Sequence, residues 1–168
     1  MASLEQLNAL PPDDAAEQLR ACCASARWVE AMVAARPFAS PDELLAASER
    51  IWWTTGPEDW LEAIASHPRI GETATRALVS EVARGWSVKE QEAVAASGAA
   101  VRQELAAAIQ EYERRFGWIY VAFATGRGAP ELLADVRARL DNDRERELVI
   151  MAREQLAIMQ LRIRKMLA

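Results

Sequence analysis

The chain has 168 residues, of which 51% are hydrophobic and 27% are charged, and its formal net charge at pH 7 is -5. This length and composition predict one domain, residues 1–168, with a sizeable single core. Charges of both signs are spread along the chain, which leaves no basic stripe for nucleic acid, and no run of about 18 apolar residues could cross a membrane.

The only two cysteines, Cys22 and Cys23, are adjacent, and neighbouring residues rarely reach disulfide geometry without strain. We therefore expect free thiols and a cytoplasmic protein, because the N-terminus also lacks the basic and apolar regions of a secretory leader. One histidine and two adjacent cysteines give no zinc-like ligand set, and no glycine-rich phosphate loop is present. An enzyme with this sequence is expected to work without a metal or other cofactor.

Capping residues and prolines mark the predicted helix ends in the N-terminal third. The start signals are a serine or an acidic pair, at Ser3, at Asp13 with Asp14, and at Ser40 before Pro41. The stop signals are prolines, or a glycine followed by proline, at Pro11, at Pro37, and at Gly56 with Pro57. Apolar residues recur at helical spacing between these signals, so this third is predicted to be helical throughout.

The only histidine, His67, follows a short predicted helix that contains Trp60 and Ile64, and it directly precedes Pro68. Proline keeps the preceding residue out of the helical region, so His67 is expected on a loop. An imidazole has an unperturbed pKa of about 6.5 and exchanges protons near neutral pH. His67 is therefore a candidate acid or base, and the alternative is an ordinary surface or core histidine.

A serine and two further polar residues mark the start of a later helix, beyond one predicted from about Thr73 to Ala83. Ser87 and Glu90 have the spacing of a capping box, which is one explanation for both. The alternative is a helix N-terminus that faces a small polar ligand, with Glu90 orienting or polarising it. The capping box does not account for Gln91.

Apolar periodicity predicts a long core helix near Ala99 to Arg115. From Trp118 to Ala124 the pattern becomes short, apolar, and aromatic or β-branched, which predicts a buried extended or irregular segment. Buried irregular backbone usually binds something, because its polar groups need partners. Helices from Pro130 to Leu140 and over the last twenty-odd residues complete an all-α fold, a single compact domain of about eight helices.

Arg162 lies on an apolar face of the predicted last helix. The residues that share this face at helical spacing are Leu148, Ala152, Gln155, Met159 and Met166. A buried guanidinium without an acceptor is costly, so Arg162 is expected to pair with a carboxylate or an anionic ligand. An internal ion pair, or a side chain that reaches water, would explain it without a ligand.

Several motifs follow one another in order from His67 to the C-terminus. They are His67-Pro68, Ser87 with Glu90 and Gln91, Tyr112 before Phe116-Gly117, the glycine turn after Ala124, Arg139-Leu140 before Asn142, and Leu161-Arg162. This ordered set resembles the OHCU decarboxylase family, where OHCU is 2-oxo-4-hydroxy-4-carboxy-5-ureidoimidazoline, a compound of urate catabolism. One departure is that Trp118-Ile119-Tyr120 replaces the aromatic-proline-aromatic run of many members.

The resemblance implies an all-helical, cofactor-free enzyme, usually a homodimer, that converts OHCU to (S)-allantoin and carbon dioxide. It implies that His67 is the catalytic acid or base, and we expect Glu90 to orient it. The implied substrate-binding residues are Pro68, Ser87, Gln91, Tyr120, Val121, Ala122, Phe123, Ala124 and Arg162. Two alternatives stay open: a non-catalytic helical module that dimerises or binds a ligand, and the same fold acting on a related ureido acid.

Overall fold

The computed structural model describes residues 3–67 and 98–168. These residues form eight α-helices and no strand, which confirms the all-α prediction. In chain order the helices are α1 (Leu4–Ala9), α2 (Pro12–Cys22), α3 (Ala26–Ala34), α4 (Pro41–Thr54), α5 (Pro57–Ala65), α6 (Ala99–Phe116), α7 (Ala129–Leu140) and α8 (Arg144–Leu167). The helices predicted near Thr73 to Ala83 and from Ser87 lie outside the described residues.

The chain divides into two compact units, one of Met1–Ser66 with Ala152–Ala168 and the other of His67–Met151. Helix α8 begins in the second unit and ends in the first. The assignment of residues 1–168 to one domain stays a prediction.

Local capping explains where the helices of the first unit begin. The Ser3 hydroxyl accepts a hydrogen bond from the Gln6 amide at 3.2 Å, and the Gln6 side chain accepts one from the Ser3 amide at 2.8 Å. Ser40 caps α4 in the predicted way, because its hydroxyl accepts from the Glu43 amide at 3.1 Å. Each cap satisfies amides that have no partner within the helix.

The core of the first unit contains tryptophans whose indole nitrogens all donate hydrogen bonds. Trp28 and Trp52 are fully buried, and their Nε1 atoms donate to the carbonyls of Ser48 at 3.1 Å and Ala152 at 3.0 Å. Trp60 Nε1 donates to the Thr55 hydroxyl at 3.0 Å. These large side chains join α3, α4 and α8 while leaving no indole donor unsatisfied.

In the second unit, helices α6 and α7 pack against each other. The chain between them carries the segment described next. Helix α6 ends at Gly117, whose φ of 82° is in the left-handed region that favours glycine. A second glycine at positive φ, Gly126, lies in the turn before α7. The segment Trp118–Ala124 lies between the two glycines, and it belongs to the candidate site.

Candidate active site

His67 lies in a bend just beyond α5, and its side chain is half-buried. This confirms its prediction as a loop residue that follows a packed helix, since α5 buries Trp60, Ala63 and Ile64. Four other candidate residues, Pro68, Ser87, Glu90 and Gln91, lie outside the described residues. Their roles, and the orientation of His67 by Glu90, stay predictions.

The segment Trp118–Ala124 has neither helical nor strand structure, as the sequence predicts. Tyr120, Val121 and Ala122 are buried, with 2%, 3% and 6% of the residue surface exposed, while Phe123 and Ala124 are half-buried. Backbone in this state makes no regular hydrogen bonds of its own, so other groups must fix its path. The segment thus carries the kind of buried irregular backbone that can bind a small polar molecule.

Arg139, near the end of α7, supplies the group that holds this segment. Its Nη1 donates to the Val121 carbonyl at 2.8 Å. Its Nε and Nη2 lie 2.7 and 2.6 Å from one carboxylate oxygen of Glu147. Nη2 also reaches the Tyr112 hydroxyl at 3.2 Å, and Nη1 reaches Asp135 at 3.4 Å. The guanidinium is therefore engaged on every nitrogen, which is the arrangement that makes a buried cation tolerable.

Glu147, in the first turn of α8, is completely buried and is the centre of the same cluster. The Tyr112 hydroxyl donates to its Oε1 at 2.5 Å, and the Asn142 amide donates to its Oε2 at 2.8 Å. Trp118 Nε1 in turn donates to the Tyr112 hydroxyl at 3.1 Å. Both carboxylate oxygens and the tyrosine hydroxyl are thus satisfied by donors from three different parts of the unit.

Asp135 forms the outer edge of this cluster, with its side chain 23% exposed. It accepts a hydrogen bond from the Tyr120 hydroxyl at 2.5 Å and pairs with Arg127 at 3.0 Å. The Arg139 guanidinium also lies over the Tyr120 ring, 4.9 Å from its centre, and over the Tyr112 ring at 5.4 Å. The segment is therefore held at its Tyr120 side chain as well as at its Val121 carbonyl.

The electrostatics of the cluster favour a charged Arg139 and neutral tyrosines. Burial would lower the pKa of Arg139, but Tyr112 and the Glu147 carboxylate outweigh it and raise that pKa, so the guanidinium stays charged. Burial raises the pKa of Tyr112 and of Tyr120, and the carboxylates that they face act in the same direction. Burial would raise the pKa of Asp135, yet the hydrogen bonds from Tyr120 and Arg127 lower it. Both tyrosines are thus neutral donors at neutral pH.

Sequence reasoning singled out Arg139 and Asn142 only as parts of a motif, and it missed Glu147 and Asp135. A usable signal exists for Glu147, because it lies four residues before the buried Met151 and so falls on the buried side of α8. An acidic residue on an apolar face requires a buried cation, and Arg139 is the nearest arginine before it that the structure buries.

Arg162 belongs to the first unit and lies on the predicted apolar face, where Ala152, Gln155 and Met159 are fully buried. One group that its guanidinium contacts is the Cys22 carbonyl, at 3.4 Å. The carboxylate or anionic ligand that the sequence predicts for Arg162 stays a prediction.

Cys22 and Cys23 are buried free thiols, as expected. Burial raises the pKa of Cys22 to about 12 and that of Cys23 to about 11, and nearby Arg162 opposes the rise only in part. Thiols in this state are protonated at neutral pH and are poor nucleophiles. They are part of the core rather than a second reactive centre.

The sequence profile of the OHCU decarboxylase family matches residues 8–164, which is nearly the whole chain. The chain belongs to the OHCU decarboxylase family. This membership accounts for the ordered motifs from His67 to Arg162.

Relatives of this family member agree with the assignment. It is 33% identical over 151 residues to the uric acid degradation bifunctional protein TTL of Arabidopsis thaliana, covering 89% of this chain and 46% of that protein. The chain therefore spans about half the length of this curated relative.

Two solved structures resemble the fold. A crystal structure of OHCU decarboxylase in the presence of (S)-allantoin is 31% identical, with a TM-score of 0.75, and the match covers 90% of this chain and 97% of that one. A crystal structure of (S)-allantoin synthase is 17% identical, with a TM-score of 0.71 over 100% of this chain and 54% of that one, which is a likeness of fold alone.

The described residues contain neither a cluster of metal ligands nor a membrane-spanning helix. No three acidic, histidine or cysteine side chains in residues 3–67 and 98–168 are grouped as metal ligands would be. In the same part of the chain, no helix combines the length and apolar character needed to span a bilayer.

Proposed function

We propose that this chain decarboxylates OHCU to (S)-allantoin and carbon dioxide in urate catabolism. The observation that carries the proposal is the similarity to the OHCU decarboxylase structure determined in the presence of (S)-allantoin, which covers 97% of that chain. The relative from Arabidopsis thaliana, a uric acid degradation protein, supports the same pathway.

The chemistry of this substrate suits a protein that contributes acid–base groups and backbone donors. OHCU carries a carboxylate and a hydroxyl on one ring carbon, next to a C=N bond that accepts the electron pair released as carbon dioxide leaves. The reaction then needs a group that manages the hydroxyl proton and a proton delivered to one face of the resulting carbanion-like centre. Delivery to one face sets the chirality of the product.

His67 is the proposed acid or base, oriented by Glu90. A positioned imidazole contributes about 10²- to 10⁴-fold in rate. The position of His67 in a bend directly after the well-packed helix α5 supports this role, because the helix fixes where the side chain begins. Pro68 shapes the loop, and Ser87 contacts the substrate.

Backbone groups of Tyr120–Ala124, together with Gln91, are proposed to stabilise the charge that develops on the ring. Arg162 is proposed to bind an anionic or polar part of the substrate. A tight clamp on the carboxylate would stabilise the ground state and oppose its loss, so a ring or ureido oxygen is the better partner for Arg162.

We further propose a cytoplasmic homodimer that needs no cofactor. The two buried free thiols support a reducing compartment. The resemblance to the OHCU decarboxylase family implies the homodimer. Light scattering in solution should give twice the chain mass, and a monomer at micromolar concentration would reject the dimer.

The deciding experiment generates OHCU in situ from urate and follows the circular dichroism of (S)-allantoin after this protein is added. Wild-type protein should produce the optical signal rapidly, and His67→Asn should lose at least about a hundredfold of the rate, the lower end of what is expected for a general acid or base. Ser66→Ala is the matched control, because its hydroxyl only donates to the Ala63 carbonyl on the same turn.

Each other outcome has a definite meaning. No acceleration by the wild type over the spontaneous racemic decay rejects OHCU as substrate, and favours a related ureido acid or a non-catalytic helical module. An active wild type with an equally active His67→Asn variant rejects the proton-transfer role of His67.

A further inference from the structure

In the described part of the chain, the backbone of Tyr120–Ala122 differs between its carbonyl and its N–H groups. The Val121 carbonyl accepts the 2.8 Å bond from Arg139. Within residues 3–67 and 98–168, no acceptor is bonded to the backbone N–H groups of Tyr120, Val121 or Ala122, although all three residues are buried. Buried backbone donors require an acceptor, and an anionic or carbonyl group of a ligand can provide one.

In a segment without helix or strand, a few hydrogen bonds to side chains fix the path of the backbone. Here these are the Arg139 bond to the Val121 carbonyl and the Tyr120 bond to Asp135. A peptide plane held at its carbonyl also fixes the direction of the amide on the opposite side of the same plane, because the peptide bond is planar. Holding the Val121 carbonyl therefore orients the amide of Ala122.

We propose that Arg139 is a positioning residue for decarboxylation, which aims the backbone donors of Tyr120–Ala122 at the substrate without contacting it. This inference rests on the proposed function of that segment. Arg139 is 4% exposed, and its guanidinium nitrogens are engaged by Glu147, Tyr112 and Val121, so it is a fixed support rather than a substrate clamp.

An arginine is required here because the guanidinium is a rigid plane with five donors. Its Nε and Nη2 face Glu147 while Nη1 points at the Val121 carbonyl, so the ion pair sets the direction of the third bond. A lysine ammonium has a single nitrogen on a flexible stem and cannot reach both acceptors in a fixed geometry. Arg139→Lys thus keeps the charge and loses the alignment.

The experiment measures kcat and KM separately for wild type, Arg139→Lys and Arg137→Lys, with backbone amide NMR shifts of Tyr120–Ala124. We expect Arg139→Lys to lose about a hundredfold in kcat/KM with a raised KM, as for a misplacement of about 1 Å, and to shift these amides. Arg137→Lys is the control on the same helix, because Arg137 is exposed and pairs with Glu104; it should stay within twofold in kcat and KM.

A folded Arg139→Lys variant with kcat and KM within twofold of wild type overturns the proposal. The proposal is also overturned if KM is unchanged and kcat falls only in proportion to the fraction of protein that is folded. A merely structural role gives that result. If Arg139→Lys does not fold, Glu147→Gln replaces it, because the amide keeps an acceptor but loses the charge. An unchanged KM and unchanged amide shifts in that variant then overturn the proposal.

Failure of the proposed function is distinguishable from failure of this inference. A wild type that makes no (S)-allantoin rejects the function, whatever the variants do. An active wild type with an equally active, folded Arg139→Lys rejects only the positioning role.

Discussion

The fully buried side chains of the two units donate hydrogen bonds in different ways. In the core of the first unit, the fully buried tryptophans are neutral donors, as in the bonds of Trp28 and Trp52 to the carbonyls of Ser48 and Ala152. In the second unit the main donor is the buried guanidinium of Arg139, balanced by the buried carboxylate of Glu147. The kind of donor depends on whether the accepting carbonyl belongs to a regular helix or to an irregular segment.

Regular helices satisfy their own carbonyls, so one extra neutral donor on a helical carbonyl completes the packing. The irregular Trp118–Ala124 segment has no such internal ladder, and its buried carbonyl needs a strong donor from elsewhere. A multidentate cation provides it, at the cost of needing a buried anion as well. The charged cluster therefore occurs where the fold departs from helix, which is also where the proposed substrate binds.

Removing the buried anion should have the largest effect on stability. Glu147→Ala leaves Arg139 buried without its partner, so we expect a loss of about 3–5 kcal/mol in the free energy of unfolding, measured by urea denaturation. Glu104→Ala is the matched control, because its pair with Arg137 is about half exposed and should be worth at most about 1 kcal/mol. Equal losses in the two variants would contradict the distinction between buried and exposed pairs.

Removing one neutral donor from the first unit should have a smaller effect. Trp52→Phe loses the bond to Ala152 and part of a buried ring, with an expected cost of about 1–3 kcal/mol in the free energy of unfolding. Trp53→Phe is the control, because this neighbouring side chain is 38% exposed, and it should change stability by less than about 0.5 kcal/mol. A Trp52→Phe loss as large as that of Glu147→Ala would remove the contrast between the units.

Local signals in the sequence are sufficient to predict the helical fold and many of the helix ends. Ser3 and Ser40 cap the helices that they were predicted to start, since a cap depends on residues only three positions away. The irregular character of Trp118–Ala124 was also predictable, because its pattern fits neither helical nor alternating periodicity. The apolar face that carries Arg162 was predictable for the same reason.

The partners of Arg139 could not be predicted in the same way. Its bond to Val121 joins residues 18 positions apart, and no local pattern specifies which carbonyl a distant guanidinium reaches. Glu147 lies in the first turn of α8, where the helix dipole favours an acid even at the surface. The sequence therefore offers two explanations for this acid, the helix dipole and the face that it shares with Met151, and the folded arrangement of α6, α7 and α8 decides between them.

The carboxylate of Asp135 is only partly exposed, so it is intermediate between the buried Glu147 and the exposed Glu104. The pH dependence of stability can test what its charge contributes. Burial would raise its pKa, but hydrogen bonds from Tyr120 and Arg127 lower it below the ordinary value of about 3.9. The unfolded chain thus binds a proton more readily than the folded one, so the stabilisation is present above the ordinary pKa and is lost as pH falls through the lowered one.

Asp135→Asn should therefore cost about 0.5–1 kcal/mol in the free energy of unfolding at pH 6, because a quarter-exposed group is partly screened by water. The difference from wild type should shrink as pH falls from 4 towards 2.5, which urea denaturation at a series of pH values measures directly. A difference that stays constant over this range would mean that the variant acts through the shape of the Tyr120 contact rather than through its charge. In that case Arg139 and Glu147, inside the core, would be the charged groups that hold the Trp118–Ala124 segment. The contact between Tyr120 and residue 135 would then act as a neutral hydrogen bond, like those of the first unit.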